Sequence, residues 1–184
     1  MKTTNPVANA VLEFWFDEAN KPFWFAKSDE FDNAIISQFG ELIDKAGQGE
    51  LWDWRADSYG RLAEIIVLDQ FARNVYRGTP KAFFYDHVAL ALAQEAINQQ
   101  GFADLSTQCQ KFTAMPFMHS ENAKVHQMAV EIFKRIGDEA TLDFEYKHKV
   151  IIDRFGRYPH RNEILGRAST PEEVAFLNEP NSSF

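Results

Sequence analysis

Asp69 and Arg73 are the first residues in the chain whose placement asks for chemistry. They lie in GRLAEIIVLDQFARN, residues 60–74, where Ile65, Ile66, Val67 and Leu68 are apolar all round a helix. Asp69 follows Leu62 by seven residues and Ile65 by four, so it falls on the apolar stripe and not on a solvated face. Arg73 stands one turn further, with the acid N-terminal to the base, the more favourable order. The pair reads either as a partly buried bridge that locks a helix end or as a carboxylate and a guanidinium at the lip of a cleft. The following RNVYRG adds Asn74 and Arg77. Arginine grips planar oxyanions bidentately, but a cation beside a helix C-terminus is also an ordinary cap.

Three histidines are candidates for proton transfer. His119 lies in MPFMHSE, where Ser120 reads as a helix N-cap and Glu121 suits the positive helix end. Capping leaves His119 unexplained, and a general base or a metal ligand are its functional readings. His148 interrupts a stripe made of Phe144, Ile151, Ile152 and Phe155. His160 stands in DRFGRYPHRN with Arg154, Arg157 and Arg161. Gly156 ends the preceding helix and Pro159 fixes the turn, which gives a stiff, basic loop. Residues 147–167 carry a net charge of +4, leaving −12 for the rest of the chain. Such a segment either neutralises internal carboxylates, such as Asp69 and Glu121, or binds an anion.

Composition narrows the function classes. The 184 residues carry a net charge of −8, which argues against nucleic acid or an anionic membrane as partner. No apolar run approaches the roughly 18 residues of a membrane span, and the N-terminus does not read as a secretory signal. A single cysteine, Cys109, fits a reducing cytoplasm and packing. HExxH, Walker, GxGxxG and GxSxG patterns are all absent. No cofactor or metal is implied. Phe, Trp and Tyr make up 14% of the chain, and most fall on helical stripes, as core residues do.

The elements that must position these groups all read as helices. Asn5-Pro6, Ser28, Thr79-Pro80, Ser120 and Thr170-Pro171 are start signals, and Gly47, Gly101, Gly137 and Gly156 are stop signals. The spacing predicts a helix from about 58 to 73. It predicts another after Pro80 with Phe84, Val88, Ala91 and Leu92 as its inner face. A short helix over 106–114 is expected to break at Pro116, and a last one follows the Thr170–Glu173 capping box. No strand-like alternation exceeds four residues. The expectation is one all-α domain over 1–184 with about eight or nine helices and a tail that frays from about 178.

Together, VLEFWFDE, LDQFARNVYRGTPKAF, MPFMHSE, HKVIIDRFGRYPHRNEILGR and STPEEVAFL resemble the bacterial family catalogued as domain of unknown function 924. The resemblance runs from about Val11 to Leu177. It implies a tetratricopeptide-like array of antiparallel helix pairs and assigns no activity.

The resulting expectation is a soluble cytoplasmic protein with a polar pocket that binds a small anion, a phosphate or a carboxylate. Asp69, Arg73, Asn74, Arg77, Glu121, Arg154, Arg157 and Arg161 would bind it. His119, His148 or His160 would serve as acid or base in hydrolytic or proton-transfer chemistry. The rival is a tetratricopeptide-like interaction module in which the same polar residues only hold the helices in register.

Overall fold

The computed structural model describes residues 2–180, 182 and 183, and these form helices and turns without a strand. α1 (Pro6–Trp15) starts where the Asn5 side chain accepts from the Val7 and Ala8 amides, and it buries Ala8, Val11, Leu12 and Trp15. α2 (Asp29–Gly47) is capped by Ser28 and buries Phe31, Ile35, Phe39 and Ile43. These faces close on a ring cluster. Trp15 lies within 6.0 Å, centre to centre, of the rings of Trp24, Phe31, Phe71 and Phe112, and the Trp24 and Phe112 centroids are 4.7 Å apart. Edge-to-face pairs of this kind add to the burial of the rings themselves. Much of the aromatic richness is therefore core, and Cys109 packs there too, 1% exposed.

The central rod is α3 (Ser58–Ile66), one π turn (Val67–Phe71) and α4 (Ala72–Val75). Every residue of the π turn is buried. α3 packs against α1, and also against α5 (Asp86–Ala96) and α6 (Thr107–Met118). α6, α7 (Ala123–Ile136) and α8 (Glu139–Phe155) then pack in succession. Gly137 and Gly156, both with positive φ, end α7 and α8, a backbone setting that glycine adopts without strain. A 3-10 turn (Pro159–Arg161) and α9 (Pro171–Phe176) complete the chain. Ile151, Ile152, Tyr158 and Phe176 form a small second core that ties this C-terminal segment to α8.

Several local expectations are corrected. Pro116 lies inside α6 and does not break it: the helix runs on to Met118 without the hydrogen bond that a proline nitrogen cannot donate. The N-cap of α7 is Asn122, whose side chain accepts from Lys124 and Val125, so Ser120 belongs to the preceding loop. Phe144 is 49% exposed and stands outside the buried stripe of α8. Of the tail, Asn181 and Phe184 lie outside the described residues, and Ser182 is buried with its hydroxyl donating to Leu177 O.

The inner face of α5 is Ala89, Ala93 and Ala96, while Phe84 and Ala91 are exposed. Small side chains let neighbouring helices approach, and residue size misdirects the reading of this face. Ala93→Leu is expected to destabilise the protein by about 1–3 kcal/mol through overpacking. Ala91→Leu should stay within about 0.5 kcal/mol. Equal urea midpoints for the two variants would place Ala93 outside the core.

Candidate functional site

Asp69 sits in the π turn with no exposed surface. Its Oδ1 lies 2.9 Å from Arg73 Nη1 and 2.7 Å from His119 Nδ1, and its Oδ2 accepts from Gln70 Nε2 at 2.6 Å. Burial opposes ionisation, but the Arg73 guanidinium and His119 outweigh it and hold the carboxyl well below the usual carboxylate range. Arg73 also reaches Asp86, the first residue of α5, through Nη2 at 2.8 Å.

His119 is the C-cap of α6. Burial and the neighbouring Arg73 push its imidazole below the ordinary histidine value, against the pull of Asp69. It is therefore neutral at pH 7. An ionised Asp69 can only accept, so Nδ1 carries the proton and Nε2 keeps its lone pair. No hydrogen bond is made to Nε2 among the described residues.

The opposite wall comes from the segment after Gly156. Tyr158 is fully buried, donating its hydroxyl to Met118 O at 2.6 Å and its amide to Glu121 Oε1 at 2.8 Å. Arg167 clasps both oxygens of Glu121 at 2.5 and 2.9 Å. The loop bearing His119 is thus fixed from two sides, since His126 Nε2 also bonds Ser120 O at 2.8 Å while its Nδ1 meets the buried Glu145 at 2.7 Å.

Arg161 is sandwiched. Its guanidinium carbon lies 4.6 Å from the Phe83 ring centre and 4.5 Å from that of Tyr158. Nη1 has a long contact of 3.4 Å to Asp86 Oδ2, and Nε and Nη2 have no hydrogen-bond partner among the described residues. Arg55, Arg77 and Arg157 show what that edge ordinarily does. Each directs Nε and Nη2 at one carboxylate, on Glu64, Asp32 and Glu173 respectively.

His119 and Arg161 line one cavity of about 370 Å³. Asp86, His87, Ser120 and Glu121 supply the rest of its polar lining, and Pro80, Phe83, Phe84, Leu90 and Leu165 its apolar lining. A larger depression of about 560 Å³ beside α1 and α2 has Glu41 as its only charged residue and holds no acid–base pair.

The family model for bacterial proteins of unknown function, DUF924, matches residues 11–181. The chain belongs to the DUF924 family. A solved structure of a protein of unknown function from Agrobacterium tumefaciens is 35% identical, with a TM-score of 0.88 over 94% of this chain and 97% of that one. No curated protein matches.

In this DUF924 protein the structure brings Asp69, Arg73, His119, Glu121 and Arg161 together. It gives the other expected site residues different surroundings. Arg77 is bound to Asp32 and to Asn74 Oδ1, and Asn74 Nδ2 donates to Gln70 O. Arg154 reaches Glu172 at 3.0 Å, and Arg157 holds Glu173 and Ala168 O. These ion pairs fasten α9, and with Arg157 beside it the Glu173 carboxyl is held down to about 2. His148 packs against Tyr158, its Nδ1 at 2.8 Å from Phe144 O, and burial lowers its pKa to about 3. The His160 ring centre lies 5.5 Å from that of Tyr158, and burial lowers its pKa to about 4. Neither lines the cavity.

Asp86, Phe83, Arg167 and the His126–Glu145 pair escaped the sequence reading. An acid at a helix start is so common that Asp86 gave no signal. The π turn left no trace either, although such turns recur at functional sites. Among the described residues of this DUF924 chain, no group of three His, Cys, Asp or Glu side chains is arranged to hold a metal ion. No helix is long and apolar enough to cross a membrane.

Proposed function

We propose that the cavity binds a small molecule through a carboxylate or phosphate group, and that His119 exchanges a proton with it. The observation that carries this reading is the open Nε–Nη2 edge of Arg161, the edge that three other arginines of this chain fill with a carboxylate. A buried donor without a partner forfeits about 1–3 kcal/mol, and an anionic ligand would restore it. The ring sandwich fixes the guanidinium plane before the ligand arrives.

The acid–base half follows the logic of oriented imidazoles. His119 Nε2 takes a proton from the ligand or from a water beside it, and the imidazolium that forms is stabilised by Asp69. Arg161 holds the negative charge that the departing proton leaves behind. Proton abstraction and hydrolysis both fit this arrangement, and Ser120 supplies a hydroxyl in the cavity lining.

Thermal unfolding with 3-phenylpropanoate and with inorganic phosphate tests the binding half. One of the two should raise the melting temperature of the wild type by linkage and leave Arg161→Gln unmoved. His119→Gln should still respond, because it removes the base and keeps the anion fork. Equal shifts in wild type and Arg161→Gln, or no shift with either anion and none with L-phenylalanine, which carries the same carboxylate, would overturn the reading.

A further inference from the structure

We infer that the ligand of this cavity is a small zwitterion, an α-amino acid with an apolar side chain, and not a simple anion. The inference rests on the anion fork proposed for Arg161.

The first support is charge balance. The acids at and behind the cavity are Asp69, Asp86 and Glu121, and the cations are Arg73, Arg161 and Arg167. They pair off one for one. Four Coulombic contacts of 3.4 Å or less join them in two clusters, Asp69–Arg73–Asp86–Arg161 and Glu121–Arg167. A monoanion would leave an uncompensated charge beside groups that are otherwise neutralised pairwise, which is unfavourable. A zwitterion leaves the balance as it stands.

The second support is that hydrogen-bonding demand of both signs is unmet. Arg161 offers two nitrogens as donors without acceptors. Asp86, which lines the same cavity, has a buried Oδ1 that accepts from nothing, although Oδ2 accepts from Arg73 and Arg161. His119 Nε2 is a further open acceptor. A carboxylate answers the arginine edge, and an ammonium, with three N–H donors, answers the two acceptors. A phosphate or a bare carboxylate answers only the first.

The third support is the remaining wall. Phe83, Phe84, Leu90 and Leu165 form an apolar flank, with Phe84 63% exposed. A cavity of about 370 Å³ is at the small end of the range for small-molecule sites. That combination suits the side chain of phenylalanine, leucine or methionine.

Calorimetric titration of the wild-type protein separates the possibilities, with L-phenylalanine, 3-phenylpropanoate and phenethylamine as probes. These share one apolar group and differ only in the charged ends. The expected result is that L-phenylalanine binds at least tenfold more tightly than either analogue. Asp86→Asn should then erase that preference, and Arg161→Gln should weaken both carboxylates. If 3-phenylpropanoate binds as tightly as L-phenylalanine and does so through Arg161, the zwitterion inference fails while the anion fork stands. If none of the three binds, and phosphate does not either, both fail. The ligand series needs no variant, so an Asp86→Asn protein that does not fold leaves the inference open to refutation.

Discussion

Asp69→Ala is expected to lower the unfolding free energy by about 3–5 kcal/mol, the range for breaking a buried charge pair by removing one partner. The reason is the number of groups that one carboxylate serves. His119 Nδ1 and Gln70 Nε2 direct donors at it in a place without solvent, and Arg73 Nη1, which donates to the Asp69 backbone carbonyl, lies 2.9 Å from the carboxylate as counter-ion. Alanine leaves these donors facing a small void. Arg73 retains Asp86, so the loss is not the whole worth of the arginine. Asp69→Asn keeps the volume and one acceptor, and should fall between alanine and wild type. Urea unfolding with the slope monitored for constancy is the measurement. A midpoint for Asp69→Ala within error of wild type would mean that the buried contacts add nothing to stability.

The second large effect is acid destabilisation that begins near pH 6.5, well above the carboxylate range. Burial depresses His160 to about 4 and His148 to about 3, from an ordinary 6.5. The unfolded chain therefore takes up these protons first. The contribution of each imidazole is complete above pH 6.5 and is lost as the pH falls toward its folded value. Each sheds on the order of 1.4 kcal/mol per pH unit. Two such groups over two units amount to about 5 kcal/mol, a large share of a typical stability of about 5–15 kcal/mol. His119, shifted the same way by burial and Arg73, adds to the slope. Below the ordinary carboxylate values, Asp69 and Glu121 lose their contribution in turn, because their folded values are depressed. Glu145 works in the opposite sense, since burial raises it. Urea midpoints at pH 7, 6 and 5 should fall steadily for wild type and about two thirds as steeply for His160→Gln, which leaves His148 and His119 in place. Parallel slopes for the two proteins would remove His160 from the account.

Much of this architecture is legible because the helix ends are written in side chains. Asn5-Pro6, Ser28 and the Thr170–Glu173 box each cap the helix expected of them. Asp69 is legible because an acid on an apolar stripe has to find cations, and His119 because no capping role accounts for it. The limits are equally specific. A helix face made of Ala89, Ala93 and Ala96 is quiet beside Phe84, so bulk misassigns it. Arg157 looks like ligand chemistry until Glu173, 16 residues later, closes on it. Glu173 had already been accounted for as a cap, and its side chain serves both purposes. A basic loop in an acidic protein thus divides into separate ion pairs, and only Arg161 keeps an open edge.

The i,i+4 arrangement of Asp69 and Arg73 has a consequence for the chain as it is made. On the ribosome, His119 follows Asp69 by 50 residues and Arg161 by 92, which at about 5–20 residues per second is a delay of several seconds. Through that interval the nascent segment carries a carboxylate in the middle of its most apolar stretch. A counter-ion one turn away neutralises it as soon as the local helix forms, without waiting for any distant strand of the chain to arrive. The most distant members of the cluster are needed only to finish a site whose hardest charge has been settled from the start.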